Sequence, residues 1–270
     1  MSSNPKPAAD SSASVGPIRK GFRSITPYLI VPGASGFGEF LKKVFGAEEL
    51  LRVPATEGKI MHAEARVGGA MLEFADSNAE VPPAPGALHF YVDDVDATYT
   101  RALNAGAKSI TAPADQSYGE RSASVEDPFG NRWYLAKRLG GGVAPTDGSN
   151  LIICLHPIGA DKLIDFMEKG CGAEVVQRFD RPDGKVMHAK LRLGNSIIEL
   201  SEAHGPYQPL PMTIHYYLAD TDAAYERAIS AGAKTLREPR DEVYGDRSAG
   251  VTDPFGNRWF FATHIKDVQF

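Results

Sequence analysis

Histidine and glutamate side chains occur at matching places in the two halves of this chain, each within a segment that is otherwise apolar. The histidines are His89 and His215, and the glutamates are Glu73 and Glu199. A carboxyl group in a dry cavity has a raised pKa and can act as a base, and an imidazole beside it can share in proton abstraction. These four residues are therefore the candidates for catalysis. A structural histidine and an ion pair of each glutamate with a nearby arginine are the alternatives.

The strands that carry Glu73 and Glu199 indicate which side chains share a face with them. Alternation along each hairpin groups one set per half: His62, Glu64, Arg66, Met71 and Glu73, then His188, Lys190, Arg192, Ile197 and Glu199. Glu64 is expected opposite Glu73, an unfavourable pair, whereas Lys190 is expected opposite Glu199, a favourable one. We expect Arg66 to reach Glu73, and Arg66 is also the obvious stabiliser of an enolate. A solvated rim position is the alternative for the two histidines of this set.

Other common catalytic signatures are missing from the sequence. There is no Ser-His-Asp set, phosphate-binding loop, dinucleotide fingerprint or zinc-type cysteine spacing. The two cysteines, Cys154 and Cys171, favour a reduced, cytoplasmic protein. A formal net charge of -5 argues against nucleic acid and anionic membrane as partners. We therefore expect neither of these partners.

The chain repeats itself without a gap, so that His62 returns as His188, 126 residues later. Residues 58–63 read GKIMHA and residues 184–189 read GKVMHA, while DPFGNRW occurs at 127–133 and again at 253–259. A period of this length indicates duplication of a whole domain. The predicted organisation is a disordered tail at 1–24, a first module at 25–137, a linker at 138–150 and a second module at 151–264.

Each module shows the same order of predicted elements. In the first module, strands are predicted at 25–31, 49–53, 59–67, 70–75, 88–92, near 109, 122–126 and 132–136, with helices at 35–44 and 94–104. The order is β-α-β-β-β twice per module. This order fits an α+β fold in which the two units of a module form a curled mixed sheet with helices on its outer face. The other face then has to be a second core, a partner surface or a ligand cup.

The βαβββ order, the GKIMHA strand and the DPFGNRW ending together resemble the vicinal oxygen chelate superfamily. That superfamily includes glyoxalase I, extradiol dioxygenases and the fosfomycin- and bleomycin-resistance proteins, and the likeness is greatest to its PhnB-like branch. The resemblance covers both modules. It implies two cups, each shared between the modules, so that a monomer with an internal module pair replaces a homodimer of single modules. A homodimer of the whole chain is the alternative.

The resemblance also implies where a metal would bind. Members with a metal take one ligand from the first strand, one from the fifth and a glutamate from the eighth. These positions are Thr26, His215 and Phe260 in one cup, and Ile152, His89 and Tyr134 in the other. Because a divalent ion needs about three good donors, one imidazole per cup disfavours a metal. If an ion binds, His89 and His215 are its expected ligands, and no other cofactor is expected.

Three functions remain open from the sequence. The first is metal-independent binding of a small molecule in the cups, as in bleomycin-resistance proteins. The second is a lyase or isomerase of glyoxalase type that uses an atypical metal or a His/Glu base, and the third is an interaction module without a ligand. The residues expected to contact a ligand are Tyr28, His62, Arg66, Glu73, His89, Tyr91, Tyr134, His188, Arg192, Glu199, His215, Tyr217 and Phe260.

Overall fold

The computed structural model describes residues 15–140 and 149–268. The first module contains β1 (Ile25–Val31), α1 (Ala34–Phe45), β2 (Glu48–Pro54), β3 (Ile60–Val67), β4 (Ala70–Asp76), β5 (Ala87–Tyr91), α2 (Val95–Asn104), β6 (Lys108–Asp115), β7 (Glu120–Glu126) and β8 (Arg132–Arg138). The second contains β9 (Leu151–Leu155), α3 (Ala160–Phe166), β10 (Glu174–Asp180), β11 (Val186–Leu193), β12 (Ser196–Leu200), β13 (Thr213–Tyr217), α4 (Thr221–Ser230), β14 (Lys234–Asp241), β15 (Asp246–Thr252) and β16 (Arg258–His264). A π-helical turn, Met167–Cys171, follows α3. The predicted order of elements is confirmed.

The strands form two eight-stranded mixed sheets. Sheet A has the order β14-β15-β16-β13-β1-β4-β3-β2, and sheet B has the order β10-β11-β12-β9-β5-β8-β7-β6. The α+β class with duplicated modules is thus confirmed, but each sheet takes one βαβββ unit from each module. The expectation that both units of one module share a sheet is corrected. In the structure, β1 pairs with β13 and β5 pairs with β9, so that each sheet crosses from one module to the other. The sequence did not distinguish these pairings, because the repeat gives the equivalent strands of both modules nearly the same pattern.

The helices pack on the outer faces of the sheets and join the two units of each module. Helix α1 buries an apolar stripe that includes Phe37 and Leu41. At its end, the Phe45 ring lies 5.3 Å from that of Phe90 and 4.4 Å from that of Trp133, both in sheet B. The units of one module therefore share a core although they belong to different sheets. Within the described residues, no helix has the length and apolar character needed to cross a bilayer.

The DPFGNRW sequence is a structural turn before the last strand of each module. Asp127 is buried, and its carboxylate accepts hydrogen bonds from the backbone N–H of Phe129 and Asn131, from the Asn131 side chain and from Trp133 Nε1. Asp253 accepts the equivalent four bonds. This turn fixes Trp133 in the core, so that the next residue, Tyr134, points to the opposite face of sheet B.

The N-terminal residues 17–24, here called the strap, lie against sheet A. The carbonyl of Pro17 accepts a hydrogen bond from the backbone N–H of His264 at 3.0 Å, and the carbonyl of Ser24 accepts one from Tyr217 at 2.8 Å. The prediction that the disordered tail extends to residue 24 is therefore corrected for residues 15–24. Their composition predicts no core of their own, and contacts with the second module order them. Residues 1–14 of the predicted tail and 141–148 of the predicted linker lie outside the described residues.

Candidate functional site

Each sheet has one face that carries the predicted site residues. Cup A denotes the face of sheet A with His62, Glu64, Glu73, His215 and Phe260, and cup B denotes the face of sheet B with His89, Tyr134, Ile152, His188 and Glu199. In cup B, His89 pairs with Ile152 on one side and Tyr134 on the other. In cup A, His215 lies between Thr26 and Phe260. The strand register therefore brings together, across the modules, the two residue sets that the resemblance implied.

An imidazole–carboxylate pair lies at the centre of cup B. His89 Nδ1 lies 2.8 Å from Glu199 Oε2, and Lys190 Nζ lies 2.9 Å from Glu199 Oε1. Glu199 is only 4% exposed. Burial acts to raise the pKa of Glu199, but His188, His89 and the Lys190 charge outweigh it and hold this pKa well below its usual range. Glu199 is thus an ionised partner of His89 and Lys190, which agrees with the ion-pair alternative, although the cation is Lys190 and not an arginine, and disagrees with a carboxyl base of raised pKa.

Two polar atoms of cup B are buried without a partner. They are the Tyr134 hydroxyl and His156 Nε2, which find no hydrogen-bond partner of good geometry within the described part of the chain. The Arg132 guanidinium is the polar group near the Tyr134 hydroxyl, and it acts to lower the pKa of Tyr134 against the larger effect of burial, which raises it. His156 Nδ1 lies 2.9 Å from Ser201 Oγ. Burial lowers the pKa of His156 to about 4, and electrostatic interactions with His204 and Arg132 add to this effect. His156 is therefore neutral at pH 7.

An aromatic wall surrounds these unpartnered atoms. The ring centroids of Tyr134, His156 and Tyr207 lie 5.4–5.5 Å from one another. His156, Ser201 and Tyr207 were not predicted as site residues. The repeat contained a signal for them, because the residues 126 positions earlier are Ile30, Ala75 and Val81. A polar replacement at an apolar position of a repeat marks a place where the two cups differ.

Cup A holds a larger set of buried acids. Glu73 is 1% exposed, and both its oxygens lie within 3.1 Å of His215 Nδ1. Glu64 is 2% exposed and lies 3.2 Å from His62 Nε2. The Tyr28 hydroxyl lies 3.1 Å from His62 Nδ1. The predicted residues Tyr28, His62, Glu73 and His215 are therefore brought together in this cup.

The strap covers cup A and neutralises Glu64. The Arg19 guanidinium donates to both oxygens of Glu64, at 2.6 and 2.9 Å. Burial acts to raise the pKa of Glu64, but bonds from His62 and Arg19 outweigh it and lower this pKa. The Phe22 ring packs edge-on against Tyr217, at 5.6 Å between centroids. Sequence reasoning missed Arg19 and Phe22, because the strap lies outside the repeat.

The tyrosines beside the central histidines are anchored by acids. Tyr217 donates to Asp246 at 2.7 Å, and His264 Nδ1 lies 2.8 Å from the same carboxylate. In cup B, Tyr91 donates to Glu120 at 2.9 Å. Both tyrosines were predicted to face the cups, and both do so with their hydroxyls already satisfied.

Two predicted arginines are not brought to the centre of a cup. Arg66 Nη1 lies 3.0 Å from Glu48, and Arg192 Nη1 lies 3.2 Å from Glu174. Both arginines are about half exposed, at 50% and 48% of the side chain. The expectation that Arg66 reaches Glu73 and stabilises an enolate is corrected, because the acid at the start of β2 lies directly across from it.

Donor atoms that could hold a metal ion cluster in both cups. The groups are His89, Cys154 and Glu199 in one cup, and His62, Glu64 and Glu73 in the other, with atoms within 4.8 Å of one another. The sequence-based count of one donor per cup missed these positions. In both groups, however, a glutamate already binds a side-chain cation, Lys190 or Arg19. Burial also raises the pKa of the Cys154 thiol well above its usual value. A divalent ion at either group would therefore have to displace that cation from the glutamate and, at Cys154, the thiol proton.

Sequence comparison identifies relatives for both modules. The model of the Glyoxalase/Bleomycin resistance protein/Dioxygenase superfamily matches residues 28–135 and 159–261. Uncharacterised proteins of Mycobacterium bovis and Mycobacterium tuberculosis are each 38% identical over 125 residues, which cover 42% of this chain and 82% and 74% of theirs. The matched length is about that of one module.

Solved structures share the arrangement of the whole chain. Glyoxalase I from Zea mays superposes with a TM-score of 0.67 at 20% identity, over 89% of this chain and 92% of that one. A putative dioxygenase from Bacillus subtilis gives 0.58 at 15% identity, over 90% and 85%. At these identities the likeness shows the fold alone. Two family matches that together span most of the chain, on a fold with these two cups, show that the chain belongs to the Glyoxalase/Bleomycin resistance protein/Dioxygenase superfamily.

Proposed function

We propose that the chain binds a small organic molecule in cup B without a divalent metal. The observation that carries the proposal is the pair of buried, unpartnered atoms, the Tyr134 hydroxyl and His156 Nε2. A buried polar atom without a partner is costly, and a ligand that completes its hydrogen bond recovers that free energy. Because Tyr134, His156 and Tyr207 form an aromatic wall, the ligand class is a flat molecule with hydrogen-bonding edges.

Cup B is the better candidate of the two. Its wall carries polar atoms at positions where the wall of cup A is a packed apolar cluster. In cup A, the matching region is an apolar cluster of Ile30, Ala75 and Ala84 with Tyr28 packed against it. Tyr217 is only 1% exposed there, beneath the strap. In cup B, His188 remains 37% exposed at the side chain. At matched positions the difference is smaller, since the His62 side chain is 25% exposed, and His215 is 13% exposed against 16% for His89, so cup B is the more accessible polar face by a modest margin.

The His89–Glu199 pair supports a second candidate function, proton transfer without a metal. A carboxylate that accepts the Nδ1 proton of a histidine fixes the tautomer whose Nε2 can accept a proton. The Tyr134 hydroxyl is then available to donate to a developing oxyanion. The reaction class would be a lyase or isomerase of glyoxalase type. The PhnB-like assignment, the monomeric state and the cytoplasmic location stay predictions.

Ligand-observed NMR with two probes tests the binding proposal: bleomycin, and a library of flat heteroaromatic fragments. We expect binders that His156→Ala and Tyr134→Phe each weaken about tenfold, the loss of roughly one good hydrogen bond. His215→Gln in cup A is the matched control and should leave binding unchanged. The proposal fails if no probe binds, or if the cup A variant removes binding and the cup B variants do not. Metal analysis of the purified protein is the companion measurement, and a stoichiometric ion would favour a metalloenzyme.

The catalytic candidate has its own test. Methylglyoxal with glutathione, with product followed by absorbance, reports glyoxalase-type turnover. Activity in metal-free protein that falls at least a hundredfold in His89→Gln would support a base at His89. Activity that appears only on addition of a divalent ion would contradict it.

A further inference from the structure

We infer that cup A is a recognition site for a guanidinium-type cation, and that Arg19 of the strap is its resident occupant. The site lies in the other sheet from the proposed ligand cup. Its existence does not depend on what cup B binds.

The contact between Arg19 and Glu64 has the geometry that distinguishes a guanidinium from other cations. Two nitrogens donate to two carboxylate oxygens, at 2.6 and 2.9 Å. A planar fork matches a carboxylate in this way, whereas an ammonium acts as a point charge. The Phe22 ring lies 4.8 Å from the guanidinium carbon and adds a cation–π contact. Cup A is thus organised around the shape of the bound group as well as its charge.

The repeat explains why this cup needs a cation from outside. Glu64 lies directly across from Glu73 in sheet A, whereas Lys190 lies across from Glu199 in sheet B. Cup B therefore carries its counter-charge within the module, and cup A does not. The residues 126 positions after Arg19 and Phe22 are Pro145 and Gly148, which offer neither a positive charge nor an aromatic ring. The cation site is a property of cup A alone.

Two further acceptors lie on the same face without partners. The hydroxyls of Thr26 and Thr213 are buried, each residue 1% exposed, and neither has a hydrogen-bond partner among the residues described. Thr26 pairs directly with His215, and Thr213 with Tyr28, so both share the face of cup A. A guanidinium has five N–H donors, of which a carboxylate uses two. Because Thr26 and Thr213 lie two and three strands from Glu64 in sheet A, these acceptors suit a ligand that extends across the sheet beyond its guanidinium group.

A ligand that binds Glu64 has to compete with Arg19, while the rest of the strap can stay in place. The other anchors of the strap include the Pro17 and Ser24 carbonyls, the Phe22 ring and hydrogen bonds that join Arg23 and Ser24 to Asn195. Lys20 and Gly21 are exposed. Displacement of the strap exposes Glu64 and Glu73 together. The expected external ligand is a small molecule that bears a guanidinium or amidinium group.

Chemical rescue of a strap variant by methylguanidinium tests the inference. In full-length Arg19→Ala we expect the Tm to fall by about 3–8 °C, because a buried carboxylate loses its partner. Methylguanidinium at millimolar concentration should restore part of this loss and bind at least tenfold more tightly than to the unaltered protein. Adding Glu64→Gln to Arg19→Ala should abolish that binding. Arg121→Ala is the matched control, because Arg121 forms an equivalent fork with exposed Asp96 and should not be rescued.

The inference is overturned if methylguanidinium does not stabilise Arg19→Ala, or stabilises Arg121→Ala equally, or still binds after Glu64→Gln. It is also overturned if Arg19→Ala takes up one divalent ion through His62 and Glu64 and ignores methylguanidinium. Should Arg19→Ala fail to fold, Arg19→Lys keeps the charge but loses the fork. Methylguanidinium should then bind Arg19→Lys at least several-fold more tightly than the unaltered protein, and equal affinity would contradict the inference.

Discussion

His89 Nδ1 and Glu199 Oε2 lie 2.8 Å apart although the two residues belong to different modules, with strand β9 between their strands. The contact exists only because each sheet combines one unit of each module. It makes the centre of cup B a product of the pairing of the modules. A single module would not contain the dyad, so the site requires two paired modules.

The first prediction concerns the stability that Glu199 provides. Glu199→Gln leaves Lys190 without its buried counter-charge, and we expect unfolding in urea to become easier by about 2 kcal/mol or more. Glu48→Gln, in the exposed pair with Arg66, is the matched control and should cost less than about 0.5 kcal/mol. Since the pKa of Glu199 is lowered by folding, its contribution is present above the unfolded pKa. The difference between the two proteins should therefore shrink as the pH falls below about 4. Equal stabilities at pH 7 would contradict the ion pair.

The second prediction is a pH dependence from His156. The pKa of His156 in the folded protein, about 4, lies below the usual histidine value of 6.5, so the folded state resists protonation. Stability should then fall as the pH decreases from about 6.5 to 4, by up to about 3 kcal/mol. In His156→Gln this part of the slope should disappear in urea titrations repeated across that range. An unchanged slope would show that His156 is not held neutral.

The third prediction contrasts two tyrosines. The Tyr134 hydroxyl has no partner within the described residues, whereas Tyr217 donates to buried Asp246. Tyr134→Phe should leave the free energy of unfolding unchanged or raise it by about 0.5 kcal/mol, while Tyr217→Phe should lower it by about 1–3 kcal/mol. Thermal unfolding of both variants side by side measures the difference. A loss in Tyr134→Phe as large as in Tyr217→Phe would mean that the hydroxyl has a structural partner.

The fourth prediction concerns the turn that precedes the last strand. Asp127→Ala removes the acceptor of four hydrogen bonds around Trp133 and should cost about 3 kcal/mol or more. Asp253→Ala should cost a similar amount, since its contacts are equivalent. Near-UV circular dichroism would report the loosened tryptophan in each variant. A loss confined to one module would show that the two turns differ in their role.

Much of this molecule could be predicted from the repeat and from strand alternation. The pairing of Glu64 with Glu73 and of Lys190 with Glu199 was predicted and is confirmed. The strand pattern alone could not identify the partner of β1, because both modules present strands of the same pattern, whereas the family resemblance implied cups shared between the modules. Arg19 could not be found either, because its segment has no counterpart in the repeat and acquires structure through contacts with residues far away in the sequence, such as Glu64, Tyr217 and His264.

The candidate site could be predicted only in part, and the reason is similar. Strand alternation finds which residues face a cup, but it does not show which polar atoms are already satisfied. Tyr91 and Tyr134 are equivalent in the sequence analysis, yet the first donates to Glu120 and the second has a buried hydroxyl without a partner. Residues outside regular strands, such as His156 and Tyr207, escape strand alternation, and only their departure from the repeat distinguishes them in the sequence.

Crystals soaked with the heteroaromatic fragment library test the assignment of the ligand site most directly, because they show which cup is occupied. We predict fragment density in cup B, stacked on Tyr134 and hydrogen-bonded to its hydroxyl or to His156 Nε2. Fragments that bind beneath the strap in cup A, with cup B unoccupied by any fragment that binds in solution, would contradict the assignment.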